Sequence, residues 1–553
     1  MKKKLEIGIL IDNPLISSWE LAIIEEIDRS DYARIALILV DEKDEESALQ
    51  KNSHVNYIYK LHQRLDAKIF LKKNNYAEKK DLFNFLRNVP AIKLRSITNN
   101  GLKHFIPGDI SKIREFNLDV IIKLNYGIIG GEILKVPVYG VWSYSMKNFG
   151  SEKEDTTGYY EIPHKDQITS STLMILKDNG NKNPVIAHAV ESTCAYSVSL
   201  NRDKLFRRAS FFLPAVVKGI YTFGQTYLDK LEEKYKQICD EPGRKMPVPS
   251  FPESIKNIWK SGIIFLSKIF KKISLTDPFS WTLLFSIRPD NDFLHNNYGN
   301  FARLKPSRNK FWADPFVISR GDRYYLFVEE FIYSKNRGHI SVLELDRNGL
   351  IQNVQKIIEK PYHLSYPFIF ESDDVYYIIP ETSGNRTVDL YRCTEFPGKW
   401  VFVKTIMSNV NAVDSTLFHY NNKWWLFTVI DKLENSAESS PELYLFYTDN
   451  FLSEKWVSHP MNPVVSDVRS ARPAGKIFIR DREIYRPSQN CAGRYGNSFD
   501  INRILILTEA DYKEEKVIKV RPEWDSKLKG THTFNSDGDF TVVDAYSFRR
   551  RFI

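Results

Sequence analysis

The feature of the sequence that most constrains the fold is a motif that occurs five times in the second half of the chain. In its first three copies, an apolar strand is followed by an aromatic pair that begins ten residues after a fixed anchor position. A repeat of about 50 residues that contains about four strands is typical of a propeller blade. We therefore predict an all-β five-bladed propeller over residues 276–553, with a double β-sandwich as the alternative. The five anchors are Asp314, Tyr366, Asp414, Arg472 and His532.

Residues 1–200 follow a different pattern, in which short apolar runs alternate with helical periodicity. The runs at 7–11, 36–40 and 120–124 have the composition of buried strands, and residues 18–28 have the spacing of an amphipathic helix. Strands that alternate with helices indicate a doubly wound, mainly parallel sheet. The chain is thus predicted to be a multidomain protein whose first domain is α/β.

Residues 201–275 are predicted to form a helical linker between the two domains. Within it, residues 254–273 alternate isoleucine, tryptophan and phenylalanine with lysine, as a basic amphipathic helix does. Such a helix either packs on a neighbouring domain or lies on a membrane surface. We expect packing and leave peripheral membrane contact open. No uninterrupted apolar run reaches about 18 residues, so we expect no membrane-spanning helix.

Charge and cysteine content exclude several classes of protein. The net charge is +9, from 78 Lys and Arg against 69 Asp and Glu, which is mild for 553 residues and does not indicate nucleic-acid binding. The four cysteines lie far apart and form no CxxC pair, which gives neither a disulfide framework nor a zinc pattern. We expect a cytoplasmic protein without a metal site, and contact with the inner face of a membrane stays open.

The anchors of the repeat are candidates for a functional site. The innermost strands of a propeller line its central channel, so equivalent positions of five blades meet in one ring. Carboxylates that converge in an aromatic cleft suit glycosidic-bond chemistry, in which one acts as acid and another as base or nucleophile. We predict that Asp314 and Asp414 are the central pair. Glu381 or Glu330 is the predicted proton donor. The alternative is a purely structural polar network.

Eight motifs of the propeller region, taken in order, resemble the N-terminal domain of plant glucosamine inositolphosphorylceramide transferases, which also occurs in bacterial polysaccharide-locus proteins. That domain is related to the five-bladed propellers of arabinanases, invertases and levansucrases. The motifs are WADPF (312–316), FVEEF (327–331), YHLSYPFIFE (362–371), IPETS (379–383), VDSTLF (413–418), ARPAGKIF (471–478), YRPSQNC (485–491) and HTFN (532–535).

The resemblance implies a base or nucleophile at Asp314 and a second functional aspartate at Asp414. Arg472 stands where the related hydrolases carry an acidic glutamate. An arginine suits the phosphate or carboxylate of a nucleotide sugar or an acidic glycan, which speaks against simple hydrolysis. The predicted substrate-binding residues are Trp312, Tyr366, His363, Arg472, Arg486, Gln489 and His532.

Residues 117–145, with the segments GYYEI at 158–162 and STLMIL at 171–176, resemble formyltransferases that use 10-formyltetrahydrofolate. Active members carry an Asn, a His and an Asp that polarise the formyl group and stabilise the developing charge. The corresponding positions here are Ser143, Ser145 and Asn181, none of which can take over these roles. The resemblance therefore implies a degenerate domain that binds or scaffolds, and it does not favour folate as a cofactor.

The sequence as a whole favours a carbohydrate-active enzyme of surface-polysaccharide or glycoconjugate biosynthesis. It would transfer or cleave a sugar linkage in the propeller, with a glycan or a nucleotide sugar as substrate and no further cofactor. Two alternatives stay open. One is a folate-dependent formyltransferase that acts on a nucleotide-linked amino sugar, and the other is a non-catalytic glycan-binding scaffold.

Overall fold

The computed structural model divides the chain into two compact units, Met1–Leu266 and Ser267–Ile553. The described residues are 2–42, 57–71, 76–99, 102–124, 126–147, 156–178, 182–238, 249–273, 276–288, 297–431 and 441–550.

The first unit is built on a seven-stranded mixed sheet. Its five parallel strands are followed by an antiparallel pair at one edge, Ile168–Ile175 and Val185–Ser192. Leu5–Ile11 lies inside the sheet and is buried along its whole length, because helices cover both faces of such a sheet. The spatial order of the strands is Val185–Ser192, Ile168–Ile175, Val141–Lys147, Val120–Lys123, Leu5–Ile11, Ala33–Asp41 and Ala91–Leu94.

Helices and two pairs of short antiparallel strands make up the rest of the described part of this unit. Helix Ser18–Asp28 begins with a capping interaction in which the Ser17 amide donates to Glu20 Oε2 at 2.7 Å, and it buries Ile23 and Ile27. The paired short strands are Leu15–Ser17 with Lys79–Asp81 and Ser96–Asn99 with Leu102–Phe105. The other helices are Tyr57–Phe70, Leu82–Phe85, Pro107–Arg114, Glu132–Lys135, Glu161–His164, Val198–Ser210, Phe212–Phe223, Gln225–Lys234 and Phe251–Ile273.

The predicted linker differs from what the structure shows. Most of residues 201–275 belong to the first compact unit, whose boundary falls inside the helix Phe251–Ile273. The helices within this stretch bury apolar side chains such as Leu205, Phe206 and Leu213, which a free linker would expose. The helices between residues 201 and 238 are therefore packed into a domain, whereas the helix Phe251–Ile273, for which we expected packing, exposes large apolar side chains such as Trp259 and Ile263.

The second unit is a five-bladed β-propeller, as predicted. Each blade is a sheet of antiparallel strands, which we number in chain order and describe from the channel outward. Blade 1 comprises Lys310–Arg320, Arg323–Ile332, Arg337–Leu345 and Ile351–Ile358. Blade 2 comprises Ser365–Ser372, Val375–Thr382, Thr387–Glu395 and Lys399–Ser408. Blade 3 comprises Ala412–Tyr420, Lys423–Ile430, Leu443–Thr448 and Val457–Ser458. Blade 4 comprises an interrupted inner strand, Arg472–Pro473 and Phe478–Arg480, then Glu483–Asn490, Ser498–Leu507 and Tyr512–Val520.

Blade 5 is assembled from both ends of the propeller region. Its inner segments, Leu528–Gly530 and Phe534–Asp537, pair with Phe540–Arg550 near the end of the chain. The next strand outward is Thr276–Ile287, which precedes all the repeats, and Ala302–Leu304 follows it. Closing the ring in this way pairs strand edges that would otherwise be exposed.

Aromatic side chains fill the space between blades. The repeated aromatic pair lies on the second strand of its blade, where one member or both are buried, as Tyr324 and Trp425 are. Phe316 of blade 1 packs edge-on against Tyr366 of blade 2, with ring centroids 4.9 Å apart. The repeat is thus a core-packing motif as well as a register that places the anchors.

Candidate active site

A shared backbone distortion positions three of the anchors. Asp314, Tyr366 and Asp414 have φ angles of +49°, +42° and +52°, and the pairing register of each inner strand shifts at this position. Positive φ is uncommon for residues other than glycine, and a β-bulge turns the side chain away from its regular direction. The same bulge in three consecutive blades therefore brings these residues into one cluster.

Asp314 is held from two neighbouring blades. Its Oδ2 accepts from the Tyr366 amide at 3.2 Å, and its Oδ1 accepts from Thr533 Oγ1 at 3.0 Å. His532 Nε2 lies 3.4 Å from the same Oδ1. The carboxyl group is almost fully buried, so its orientation is fixed by these contacts.

Asp414 forms the centre of a second group. Its Oδ2 contacts Arg472 Nε and accepts from Gln489 Nε2 at 2.8 Å. Arg472 Nη2 also lies 3.8 Å from Glu381 Oε2, which has no hydrogen-bond partner of its own. Arg472 thus stands between two acidic residues, Asp414 and Glu381.

His532 joins the first group to a further buried acid. Its Nδ1 lies 2.7 Å from Asp544 Oδ2, and its ring stacks on Trp281 with centroids 4.0 Å apart. Asp544 also accepts from the backbone amides of His532 and Thr533, each at 3.0 Å. The imidazole therefore connects the carboxyl groups of Asp544 and Asp314.

The two adjacent glutamates of blade 1 face different surroundings. Glu330 accepts from Trp312 Nε1 at 2.7 Å and Lys310 Nζ at 2.8 Å, and it contacts His339. Burial would raise its pKa, but these donors outweigh burial and lower it to about 2. Glu329 instead lies beside His363, whose Nε2 is 3.4 Å from Oε1. Neighbouring residues of a strand point to opposite faces, so one of the pair faces the ring acids and the other does not.

We call the acid ring the set of Asp314, Glu329, Glu381, Asp414 and Asp544. These acids outnumber the cations beside them, Arg472 and His532. Burial, with the charges of Asp414 and Asp544, raises the pKa of Asp314 to about 6, although His532 opposes this. Burial and Glu381 raise the pKa of Asp414 to about 7, against the lowering effect of Arg472. Burial and the ring acids also raise the pKa of Glu329 well above its usual value. Two carboxyl groups thus titrate close to neutral pH, as acid–base catalysis requires.

Several predicted binding residues have structural partners instead. The Tyr366 hydroxyl accepts from the Gly475 amide at 2.8 Å and lies 2.9 Å from Thr416 Oγ1. Arg486 forms a bidentate ion pair with Glu514, with N···O distances of 2.6 and 2.7 Å, and it donates to the Ser470 carbonyl. Trp312 donates to Glu330, as described above. Tyr366 therefore joins blade 2 to Thr416 of blade 3 and Gly475 of blade 4, whereas Trp312 and Arg486 stabilise their own blades. Arg472, Gln489, His363 and His532 reach the acids of the ring.

Three residues of the cluster carried no signal in our sequence analysis. Asp544 and Thr533 contact ring members, but neither occupies a repeated position. Tyr495 lies beside the ring, with the Arg472 guanidinium 5.0 Å from its centroid and His532 edge-on at 5.4 Å. The Tyr495 side chain is 42% exposed, which leaves an aromatic face available to a ligand. An aromatic–histidine–arginine neighbourhood of this kind is visible only after folding.

The only group of metal-ligand type found among the described residues is Asp314, His532 and Asp544. One ligand atom from each lies within 4.8 Å of the others, which suits a divalent cation. Both ring nitrogens of His532 already lie against these carboxylates. The expectation of no metal site therefore stays a prediction, which metal analysis of the purified protein will test.

The formyltransferase-like positions lie in the first unit. Ser143 and Ser145 are within the strand Val141–Lys147, opposite Met174 and Thr172. Ser143 is buried, and Ser145 is half-buried. Asn181 lies outside the described residues.

Comparisons with known proteins match the propeller. Residues 302–544 match the family model of glucosamine inositolphosphorylceramide transferase 1, N-terminal. The rice (Oryza sativa subsp. japonica) glucosamine inositolphosphorylceramide transferase 1 is 34% identical over 212 residues, which is 38% of this chain and 28% of the relative. The Arabidopsis thaliana protein of that name is 30% identical over 230 residues, covering 41% and 29%. This chain thus matches less than a third of the length of these relatives.

Among solved structures, the chain is similar to the catalytic domain of Coprinopsis cinerea GH62 alpha-L-arabinofuranosidase. The identity is 12%, the TM-score is 0.33, and the match covers 50% of this chain and 98% of that one. It is also similar to Zg3597, a family 117 glycoside hydrolase of Zobellia galactanivorans. There the identity is 12%, the TM-score is 0.32, and the coverage is 48% and 90%.

Proposed function

We propose that the acid ring of the propeller is a catalytic site that transfers a glycosyl group from a nucleotide sugar to a hydroxyl of a glycan or glycolipid acceptor. The observation that carries this proposal is the pair of buried aspartates whose pKa values are raised to about 6 and about 7. Carboxyl groups whose pKa values are shifted by burial and by neighbouring charges cluster at functional sites. The names of the curated relatives, which are transferases, support the same class of reaction.

The two aspartates suit different roles at neutral pH. Asp314, with a pKa of about 6, is mostly ionised and accepts the proton of the acceptor hydroxyl as that oxygen attacks the anomeric carbon. Asp414, with a pKa of about 7, is partly protonated and gives its proton to the oxygen that leaves. The neighbouring Glu381 Oε2, which is buried without a hydrogen-bond partner, is placed to share that proton.

Arg472 and Tyr495 suit the binding of the donor. The guanidinium of Arg472 contacts Asp414 and lies over the Tyr495 ring, so an anionic donor would meet a cation next to the proton donor. The exposed ring of Tyr495 offers a stacking face for a sugar. This arrangement supports a nucleotide-sugar donor over a neutral glycoside.

The experiment is a thermal-shift screen followed by a turnover assay. The full chain is mixed with UDP-N-acetylglucosamine, UDP-glucose, UDP-glucuronic acid and neutral and acidic oligosaccharides, and any stabilising compound is then assayed for released nucleotide or new glycoside. We expect Asp314→Asn to abolish turnover. Asp389→Asn is the control, because Asp389 is a buried propeller aspartate that accepts from Thr405 Oγ1 at 2.8 Å, away from the ring.

The assay also separates the proposal from its alternatives. Unchanged turnover in Asp314→Asn would contradict the catalytic assignment. Sugar binding that survives this substitution, with no turnover by the wild-type chain, would instead indicate a glycan-binding scaffold. A reduced folate is included in the same screen, and stabilisation by it would favour the formyltransferase alternative. Ser143 and Ser145, the two formyltransferase-like positions that are described, give that alternative no support, because a serine cannot act as an imidazole does.

A further inference from the structure

The long helix Phe251–Ile273 presents its apolar side chains outward. The side chains that it buries include Ser254, Asn257 and Ser261, which are small or polar. Its large apolar residues recur every three or four residues, which keeps them on one face, and that face is exposed. Trp259 is 70% exposed and Leu266 is 64% exposed. The exposed apolar residues of the part of the helix that belongs to the first unit are Phe251, Ile255, Trp259, Ile263 and Leu266.

The helix Tyr57–Phe70 has a second exposed apolar stripe. Tyr57, Leu61, Leu65 and Ile69 follow one another at intervals of four residues, and each is at least half exposed. The opposite side of this helix faces the protein. There Asp66 Oδ2 accepts from the Ser199 amide at 2.7 Å and from Ser197 Oγ at 3.0 Å.

Contacts within the first unit place the two helices side by side. Phe70 packs edge-on against Phe265, with ring centroids 5.0 Å apart. Tyr159 joins Tyr59 to Asn257, because its ring lies 5.0 Å from that of Tyr59 and its hydroxyl accepts from Asn257 Nδ2. The contact through Tyr159 comes before the contact between Phe70 and Phe265 along both helices. The two contacts are separated by a rise of about 12 Å along one helix and about 16 Å along the other, so the helices run side by side in the same direction. The exposed stripes therefore belong to one surface, which we call the two-helix face.

The charged residues on the described parts of the two helices are mostly basic. Each helix has a single acidic residue. Asp66 is buried as described, and Glu253 caps the start of its helix by accepting from the Ser250 amide at 2.8 Å. The basic residues on the parts of the two helices that belong to the first unit are Lys60, Arg64, Lys68, Lys256 and Lys260.

We propose that the two-helix face docks on the surface of an anionic lipid bilayer. Apolar side chains would enter the boundary between headgroups and acyl chains, and the lysines and arginine would contact lipid phosphates. A second copy of the chain is a poorer occupant, since a symmetric pair would bring these like charges together. Among the described residues, no helix has the length and apolar character needed to cross a membrane. This surface goes beyond the proposed glycosyl transfer and stands without it.

The test is co-sedimentation of the full chain with vesicles of phosphatidylcholine alone or of phosphatidylcholine with 30% phosphatidylglycerol. We expect binding to the anionic vesicles, at least tenfold weaker binding to the neutral ones, and further weakening as salt is raised. Trp259→Glu and Leu65→Glu should each reduce binding at least tenfold. Leu350→Glu, at an exposed apolar residue of the propeller, is the matched control and should bind like wild type. Circular dichroism melting verifies that all variants are folded.

Other results would overturn the proposal. Equal binding by wild type and both stripe variants would place the contact elsewhere. Absence of vesicle binding, together with a dimer in size-exclusion chromatography that Trp259→Glu dissociates, would show that a second copy covers this face. We expect Asp314→Asn to lose sugar turnover and to bind vesicles like wild type. Failure of the proposed function and failure of this surface are therefore distinguishable.

Discussion

The backbone amide of Asp314 donates a hydrogen bond to Asp544 Oδ2 at 3.1 Å, across 230 residues of sequence. The bond joins the first blade to the last one at the place where the acid ring is built. Asp544 also accepts from His532 and Thr533, so one buried carboxylate both closes the propeller and orients the candidate base.

We expect Asp544→Asn to impair stability and activity together. The side-chain amide of the asparagine has one acceptor oxygen where the carboxylate has two. At least one buried backbone N–H group therefore loses its acceptor, which costs about 1–3 kcal/mol. Loss of the contact with His532 Nδ1 should also release the imidazole. Urea denaturation and turnover are the measurements, and Asp389→Asn is the control. A variant as stable and active as the control would contradict the role given to Asp544.

The stability of the protein should fall as pH rises from about 4 to 7. The pKa of Asp414 is raised to about 7 in the folded protein, so the folded state binds a proton that the unfolded state has released in this range. The stabilisation is present below the unfolded pKa of about 3.8 and is lost as pH passes through 7. Asp414→Asn should flatten the curve by an amount on the order of 3 kcal/mol.

Denaturation of the wild-type chain and Asp414→Asn between pH 4.5 and 8 checks this prediction. Glu330 does not interfere, because its pKa of about 2 places its titration below the window. Parallel curves for the two proteins would show that Asp414 is ionised throughout.

Arg472→Met should raise the pKa of Asp414 further, because the guanidinium is the charge that opposes burial there. We expect the pH at which turnover is half lost on the alkaline side to move upward. The KM for an anionic donor should rise at least tenfold. A rise in KM with no change in the pH profile would assign Arg472 to substrate binding alone.

Tyr495→Ala should weaken sugar binding about tenfold, since base or sugar stacking on an exposed aromatic ring contributes roughly 1–2 kcal/mol. Because the ring is 42% exposed, the melting temperature should change little. Tyr495→Phe retains the stacking face and should bind like wild type. Calorimetric titration with the donor identified by the screen is the measurement. Equal affinity in all three proteins would exclude Tyr495 from the site.

The propeller and most of its ring could be predicted from the sequence because each blade repeats the same inner strand, with an anchor residue and a packed aromatic pair. Asp314 and Asp414 stand at equivalent repeat positions, and the structure brings both into the acid cluster through equivalent bulges. Glu330 could not be separated from Glu329 in this way, since the face that a strand residue occupies depends on register. Arg486 has its ionic partner, Glu514, on the outermost strand of the blade, and the repeat pattern does not indicate this pairing.

The repeat pattern could not predict which strands form blade 5. Thr276–Ile287 has no copy elsewhere, and its partner strand Phe540–Arg550 is identified by pairing alone. The structure places residues 201–266 in the first unit rather than in a linker. Helical periodicity indicates that a helix has one apolar face, but it does not indicate what covers that face.

The pairing of Thr276–Ile287 with Phe540–Arg550 also ties assembly of the site to a single folding step. Contacts this distant in sequence form slowly, because a long stretch of chain must close before they can be made. Asp544 lies on Phe540–Arg550, so the acid ring is incomplete until these two strands have paired. A chain in which they are still apart has neither a closed propeller nor an assembled site.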